Sequence, residues 1–250
     1  MLIRRLHFKA TVLLSILAVI VLLLLINLGQ WQVRRAEQKQ ALLDMQFARA
    51  DLPATSVQAL DFKENNLRYL PVSLQGEADS EHQILLDNQV RQGRVGYFVL
   101  TPVKLSNNTA ILLNRGWVAL GADRSTLPKV QLDTSVFTAL GRLDHFPTVG
   151  IVLKGADQLS SGWPSVTQII NLDHVAVRLG YKVLPYQVLM NDKQEHGYER
   201  QWLMMKMGPE KHYGYAFQWF SLAVAWVTIY FVVSIKLGVN RNEYSNKEPN

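Results

Sequence analysis

Among the side chains of this 250-residue protein that could do chemistry, His212 has the most informative surroundings. It is the last polar residue before a long apolar run, in Pro209-Glu210-Lys211-His212-Tyr213-Gly214-Tyr215-Ala216-Phe217-Gln218-Trp219-Phe220. At helical spacing, His212, Tyr215, Ala216, Trp219, Ala223 and Trp226 share one face. An imidazole above such an aromatic and small-residue stripe could ligate the iron of a porphyrin whose macrocycle lies along the helix, against Tyr215 and Trp219. A second reading stands beside it. Tyr213, Tyr215 and Trp219 also suit an interfacial aromatic belt, with His212 among lipid headgroups. Gln218 and Trp226 each carry a polar group inside the run that wants a partner, which suits a helix contacting another protein or a cofactor. Ala216, Ala223 and Ala225 allow a second helix to approach closely.

Other chemistry is poorly served. The absence of Cys excludes disulfide scaffolds, Cys-ligated zinc, iron–sulfur clusters and thiol nucleophiles, and suits an oxidising compartment. No G-x-S-x-G, S-x-x-K, H-E-x-x-H, P-loop or G-x-G-x-x-G motif occurs, so the chain reads as non-catalytic. His82, His145, His174 and His196 read as surface or satisfied polar residues. His7 lies at the entrance of the first apolar run, across the membrane from His212 if both runs span, so one iron cannot use both.

The elements that must position His212 follow from hydropathy. Charged residues make up only 18% of the chain and apolar ones 48%, against the roughly one quarter charged of ordinary soluble proteins. Residues 10–28 form a charge-free run dominated by Leu, Val and Ile, roughly 28 Å of helix and close to one hydrocarbon thickness. Residues 213–235 form a second, about 34 Å long, able to span with some tilt. The first run ends Ile26-Asn27-Leu28-Gly29-Gln30-Trp31 without an A-x-A-like site, so it reads as a retained anchor rather than a cleaved signal peptide. Between the runs, 20 Lys/Arg stand against 18 Asp/Glu. Most of the net charge of +6 therefore sits in the short termini, which removes the case for nucleic-acid binding. Positive flanks place residues 1–9 and 236–250 in the cytoplasm and the long loop outside, although Arg34, Arg35 and Lys39 argue the other way.

Residues 29–52 extend the first helix outward, with Gly29 a candidate bend and Leu52-Pro53 a stop. Residues 53–212 read as an extracytoplasmic β-rich domain, mostly antiparallel and of barrel or sandwich type. Its strand-like runs are Arg68–Gln75, His82–Asp87, Gly96–Leu105, Ala110–Val118, Thr134–Leu143 and Val183–Met190. Turn chemistry bounds them at Gln75-Gly76, Gln92-Gly93, Ser106-Asn107-Asn108, Gly121-Ala122-Asp123 and Phe146-Pro147. Ile111-Leu112-Leu113 is apolar on both faces and predicts a central strand. Arg115-Gly116-Trp117 reads as a strand ending in a turn, with Trp117 buried. One short helix is predicted at Asn171–Leu179, with Gly180 as its C-terminal stop. The polar tail from Gly238 reads as disordered.

On these residues the chain resembles the Surfeit locus protein one family of cytochrome c oxidase assembly factors, in its bacterial form. The likeness runs from Leu28 to about Lys236. It is carried by Leu28-Gly29-Gln30-Trp31-Gln32-Val33-Arg34-Arg35 with Lys39, Val72-Ser73-Leu74-Gln75-Gly76, Gly96-Tyr97-Phe98-Val99-Leu100-Thr101-Pro102, Leu112-Leu113-Asn114-Arg115-Gly116-Trp117-Val118, and His212 with Tyr215-Ala216-Phe217-Gln218-Trp219-Phe220-Ser221-Leu222-Ala223. The resemblance implies a membrane helix at each end, an inner-membrane location and a periplasmic central domain. It also implies a non-catalytic chaperone role in respiratory-chain biogenesis, helping deliver haem a to the largest subunit of cytochrome c oxidase, with haem a synthase as a further partner. His212 is the position implied as axial ligand. Many relatives carry Asn two residues before that histidine; here the position is Glu210. A haem-independent scaffold for an oxidase assembly intermediate is the alternative, and a membrane-anchored periplasmic hydrolase a third reading without a motif behind it.

Overall fold

The computed structural model describes residues 12–63, 66–105, 108–121, 123–132, 136–148, 150–202 and 208–245, with side chains of the last helix as far as Ile235. His7, the start of the first apolar run, Ser106-Asn107, Ala122, Thr134 and residues 246–250 lie outside them. The chain divides into two compact units: residues 1–44 with 204–250, and residues 45–203. The second is inserted in sequence between the two halves of the first.

The first unit is built on two long helices. Helix α1 runs Val12–Ala50 without interruption, Gly29 included. Good helix formers follow the apolar run with no proline until Pro53, and nothing stops the hydrogen-bond ladder before then. The helix that carries His212 runs Pro209–Ser245 and is numbered α3 below. Pro209 opens it, where a missing N–H costs nothing. Its end corrects an expectation: the ladder continues past Gly238 as far as Ser245. Only 11% of the most apolar window of either helix is buried. A core helix of a soluble protein would be mostly covered, and a signal sequence would not lie near the C-terminus. The pair is therefore compatible with membrane anchoring.

The second unit is one sheet of eight strands: β1 Thr55–Ser56, β2 Pro71–Ala78, β3 Ile84–Arg91, β4 Arg94–Leu105, β5 Thr109–Ala119, β6 Val136–Asp144, β7 Ser165–Thr167 and β8 Lys182–Met190. Their order is β1-β2-β6-β8-β5-β4-β3-β7, and a further β2–β4 pairing turns the sheet back on itself. The sheet is mixed: most of its pairings are antiparallel, as expected, while β1–β2, β3–β7 and β5–β8 are parallel. Parallel β5 and β8 need a crossover connection, and that connection carries helix α2, Leu172–Leu179. Asn171 caps α2 by accepting from the N–H groups of Asp173 and His174, and Gly180 follows in the left-handed conformation.

Strand β5 lies between β4 and β8. Ile111 and Leu113 enter a core with Val72, Leu74, Val103, Phe137, Leu143 and Val188. Leu112 faces the other way, into a cluster with Ile84, Leu86, Leu100 and Val175 of α2. Both faces are thus covered, as an uninterrupted apolar run requires. The β3–β4 hairpin turns at Gln92 and Gly93, both with positive φ, the two-residue turn that matches strand twist. Gln75-Gly76, by contrast, is no turn. Gly76 lies within β2 where Lys104 of β4 crosses, and a Cβ there would strike the Lys104 carbonyl.

Candidate functional site

The helices of the first unit pack antiparallel, and four contacts define their register. Ser15 Oγ lies 2.7 Å from the hydroxyl of Tyr230. The Trp226 indole N–H donates to the Ala18 carbonyl at 3.0 Å. A Cβ on Gly29 would lie 2.6 Å from the Phe220 ring, so the glycine admits that ring. His212 Nδ1 lies 2.7 Å from Gln32 Oε1. Ala18 and Ala36 on α1, and Ala216 and Ala223 on α3, are buried, which is how small residues let two apolar helices close. An apolar recess between Leu14, Leu17, Trp226, Ile229 and Val233 marks the other end of the pair.

This packing sorts the predicted site residues. The face His212–Ala216–Trp219–Ala223–Trp226 is turned toward α1, with His212 and Trp219 half-buried, while Tyr215 is 50% exposed. The structure therefore brings His212 and Trp219 to one side and leaves Tyr215 outside it. Gln218 is also exposed. Trp226 finds its partner on α1. Glu210 sits in the first turn of α3, where a carboxylate meets the positive end of the helix dipole. His212 itself has one nitrogen on Gln32 and the other, Nε2, buried without a hydrogen-bond partner. Gln32 was not a predicted site residue. It belongs to the Leu28–Arg35 motif, but no spacing in a sequence links it to a histidine 180 positions away.

The SURF1 family model matches residues 19–224, most of the chain, including Gln32 and His212. The chain belongs to the SURF1 family. A SURF1-like protein of Rickettsia felis is 23% identical over 87% of this chain and 95% of its own length. The Surfeit locus protein 1 of Arabidopsis thaliana is 25% identical over 80% of this chain and 71% of its own length. A SURF1-like protein of Dictyostelium discoideum is 32% identical over a shorter stretch, 37% of this chain and 38% of that protein.

In this SURF1 family member the motif Asn114-Arg115-Gly116-Trp117 does internal work. It corrects the expectation of a strand end, because β5 runs on to Ala119. Asn114 donates to Gln187 Oε1 at 2.9 Å and accepts from the Gly116 N–H. Arg115 is 1% exposed and donates to the Val130 carbonyl at 2.7 Å and the Tyr198 hydroxyl at 3.1 Å. Burial pushes its guanidinium below the ordinary value, with Tyr198 opposing. Gly116 has φ +117, and the main chain of Tyr198-Glu199 fits against it. Trp117 is buried and donates its indole N–H to the Gln89 carbonyl at 2.7 Å. Residues 198 and 199 hydrogen-bond to both sides of the glycine, through Tyr198 N to Arg115 O and Trp117 N to Glu199 O. Among the described residues no group of three or more His, Asp or Glu could hold a metal ion.

Proposed function

We propose that the protein is a non-catalytic assembly factor for haem–copper cytochrome c oxidase, a chaperone that assists delivery of haem a into the largest oxidase subunit. Haem a is its cargo and is bound transiently, with His212 the axial ligand to the iron. The observation that carries this reading is the His212 imidazole: one nitrogen is anchored on a neighbouring helix, and the other is buried with no partner. A buried imidazole nitrogen is costly to leave unpaired, and a metal is one partner that satisfies it. Trp219, about two turns further along, supplies a ring for the macrocycle.

The reading has a physical rationale. Haem a is apolar and oxidisable, so release into water is disfavoured. A carrier that grips it through one imidazole at the membrane surface can pass it sideways to an acceptor that grips harder. Because Nε2 is covered, iron would reach it only when the groups over it part. The two apolar helices would cross the bacterial inner membrane with both termini cytoplasmic, the ring of strands forming a small periplasmic barrel that docks on the oxidase subunit or on haem a synthase.

The test is the absorption spectrum of the detergent-extracted protein from cells that make haem a. Haem should co-purify with the wild type and be lost with His212→Ala. Equal haem in both would sink the handover reading. It would favour a haem-independent scaffold, which predicts normal oxidase assembly in the His212 variant. The specific observation behind that second reading is that Ala216, Ala223 and Trp226 already pack on α1.

A further inference from the structure

We infer that Gln32 is a positioning residue for His212, holding its ring in the tautomer that leaves the lone pair on Nε2. The inference rests on the reading of His212 as the axial ligand and assigns the group that makes it competent.

The argument starts from what each atom can do. An amide oxygen only accepts, so with Gln32 Oε1 2.7 Å from His212 Nδ1 the hydrogen belongs to Nδ1. A neutral imidazole protonated on Nδ1 has its acceptor nitrogen at Nε2, and that nitrogen has no partner. Without Gln32 the ring would be free to take the other tautomer, in which Nε2–H cannot bind iron. Gln32 is 9% exposed, so water does not readily replace it. It sits on α1 and His212 in the first turn of α3, so the hydrogen bond also fixes the direction of the ring relative to both helices.

The choice of an amide matters as well. A carboxylate in this place would pull on the Nδ1–H and raise the basicity of Nε2, tightening its hold on a metal. An amide orients the ring with less of that pull. The arrangement gives a ligand that is aimed but weakly donating, which suits a carrier whose grip must lose to that of its acceptor.

The experiment uses the full chain in detergent, labelled with nitrogen-15 histidine, and reads the His212 tautomer by NMR before any porphyrin is added. The wild type should show a protonated Nδ1 and a bare Nε2, and Gln32→Leu should show both tautomers. Titration with haemin then follows. Affinity should fall about 10- to 100-fold in Gln32→Leu, the usual loss when the outer partner of a metal-ligating histidine is removed. In Gln32→Glu it should rise above the wild type, with a lower reduction potential for the bound iron. The inference is overturned if the wild type carries the proton on Nε2, if Gln32→Leu keeps the wild-type tautomer, or if Gln32→Leu binds haemin normally while His212→Ala does not. If His212→Ala binds haemin as the wild type does, the axial-ligand reading is what fails, and the tautomer measurement alone decides the role of Gln32.

Discussion

The Tyr181 phenol donates to the Asp79 carboxylate across 2.7 Å, tying the end of β2 to the turn between α2 and β8. Asp79 is 8% exposed and also has His82 Nδ1 at 2.7 Å and Lys104 Nζ at 3.5 Å. Burial works to raise the Asp79 carboxyl. The hydrogen bonds from Tyr181 and His82, with the charges of His82 and Lys104, outweigh it, so the group titrates below its ordinary value. Burial, then the hydrogen bond and charge of Asp79, hold the Tyr181 phenol above its usual range.

These shifts give stability two pH limbs of opposite sign. A carboxyl lowered by folding stabilises fully above its unfolded value, about pH 4, and loses that contribution as pH falls through the folded value. A phenol raised by folding stabilises fully below about pH 10 and loses that contribution as pH rises through the folded value. Urea unfolding of the full chain, followed by tryptophan fluorescence from pH 2 upward, should show both. Asp79→Asn should flatten the acid limb and Tyr181→Phe the alkaline one. At neutral pH Tyr181→Phe should cost about 1.5–3 kcal/mol, as for a hydrogen bond to a charged group. An unchanged alkaline limb in Tyr181→Phe would contradict the assignment.

Much of the β unit is legible in its sequence, for reasons specific to each segment. Ile111-Leu112-Leu113 has no polar alternate and so announces a strand covered on both sides. Gln92-Gly93 announces a two-residue hairpin, because few residue pairs tolerate positive φ twice. Other features are hidden. Glycine marks turns and close approaches with the same letter, so Gly76 and Gly116 read as turns although both lie within strands. β1 and β7 are two and three residues long, too short for a period to show. The site is split in the same way: His212 stands out at the mouth of an apolar run, whereas its hydrogen-bond partner depends on the register of two helices.

Gly116 makes a sharp prediction. At φ +117 an L-residue is strained, and its Cβ would sit 2.9 Å from the Glu199 carbonyl oxygen and 3.0 Å from the Tyr198 carbonyl carbon. Strain of this kind costs about 1–3 kcal/mol before any clash is relieved. Gly116→Ala should therefore lower the urea midpoint of the β unit and break the pairing of residues 198–199 with β5. Hydrogen exchange at Trp117 N, which donates to Glu199 at 2.8 Å, should rise with it. Wild-type stability in Gly116→Ala would show that the segment can move aside freely.

Asn171 tests the cap of α2. Its side chain accepts from Asp173 N at 3.1 Å and His174 N at 3.4 Å, and donates to Asp157 at 3.0 Å. Asn171→Ala should cost about 1 kcal/mol, and Asn171→Ser, which keeps the cap without setting a second carboxylate beside Asp157, should recover most of that. The urea midpoints of the two variants should separate accordingly. Equal loss in both would locate the effect in the bond to Asp157 instead.

Trp226 tests whether α1 and α3 hold each other in an apolar environment. Its indole N–H has an acceptor in the Ala18 carbonyl. That carbonyl also lies within the α1 ladder, so the indole shares an acceptor rather than completing an unpaired one. Replacement by Phe keeps a ring against α1 and removes only the donor. The cost should then be about 1 kcal/mol, as for other interhelical hydrogen bonds in membranes. Trp226→Ala removes the ring as well and should cost more, since it opens the apolar recess beside Leu14 and Leu17. Because the chain has no Cys, a single introduced pair can report helix separation by disulfide trapping in native membranes without background thiols. Trapping should slow in the order wild type, Trp226→Phe, Trp226→Ala if the antiparallel register is the one that forms there. The same rate in all three would mean that α1 and α3 meet along other faces in the bilayer, and the neighbourhood of Gln32 and His212 would have to be redrawn with them.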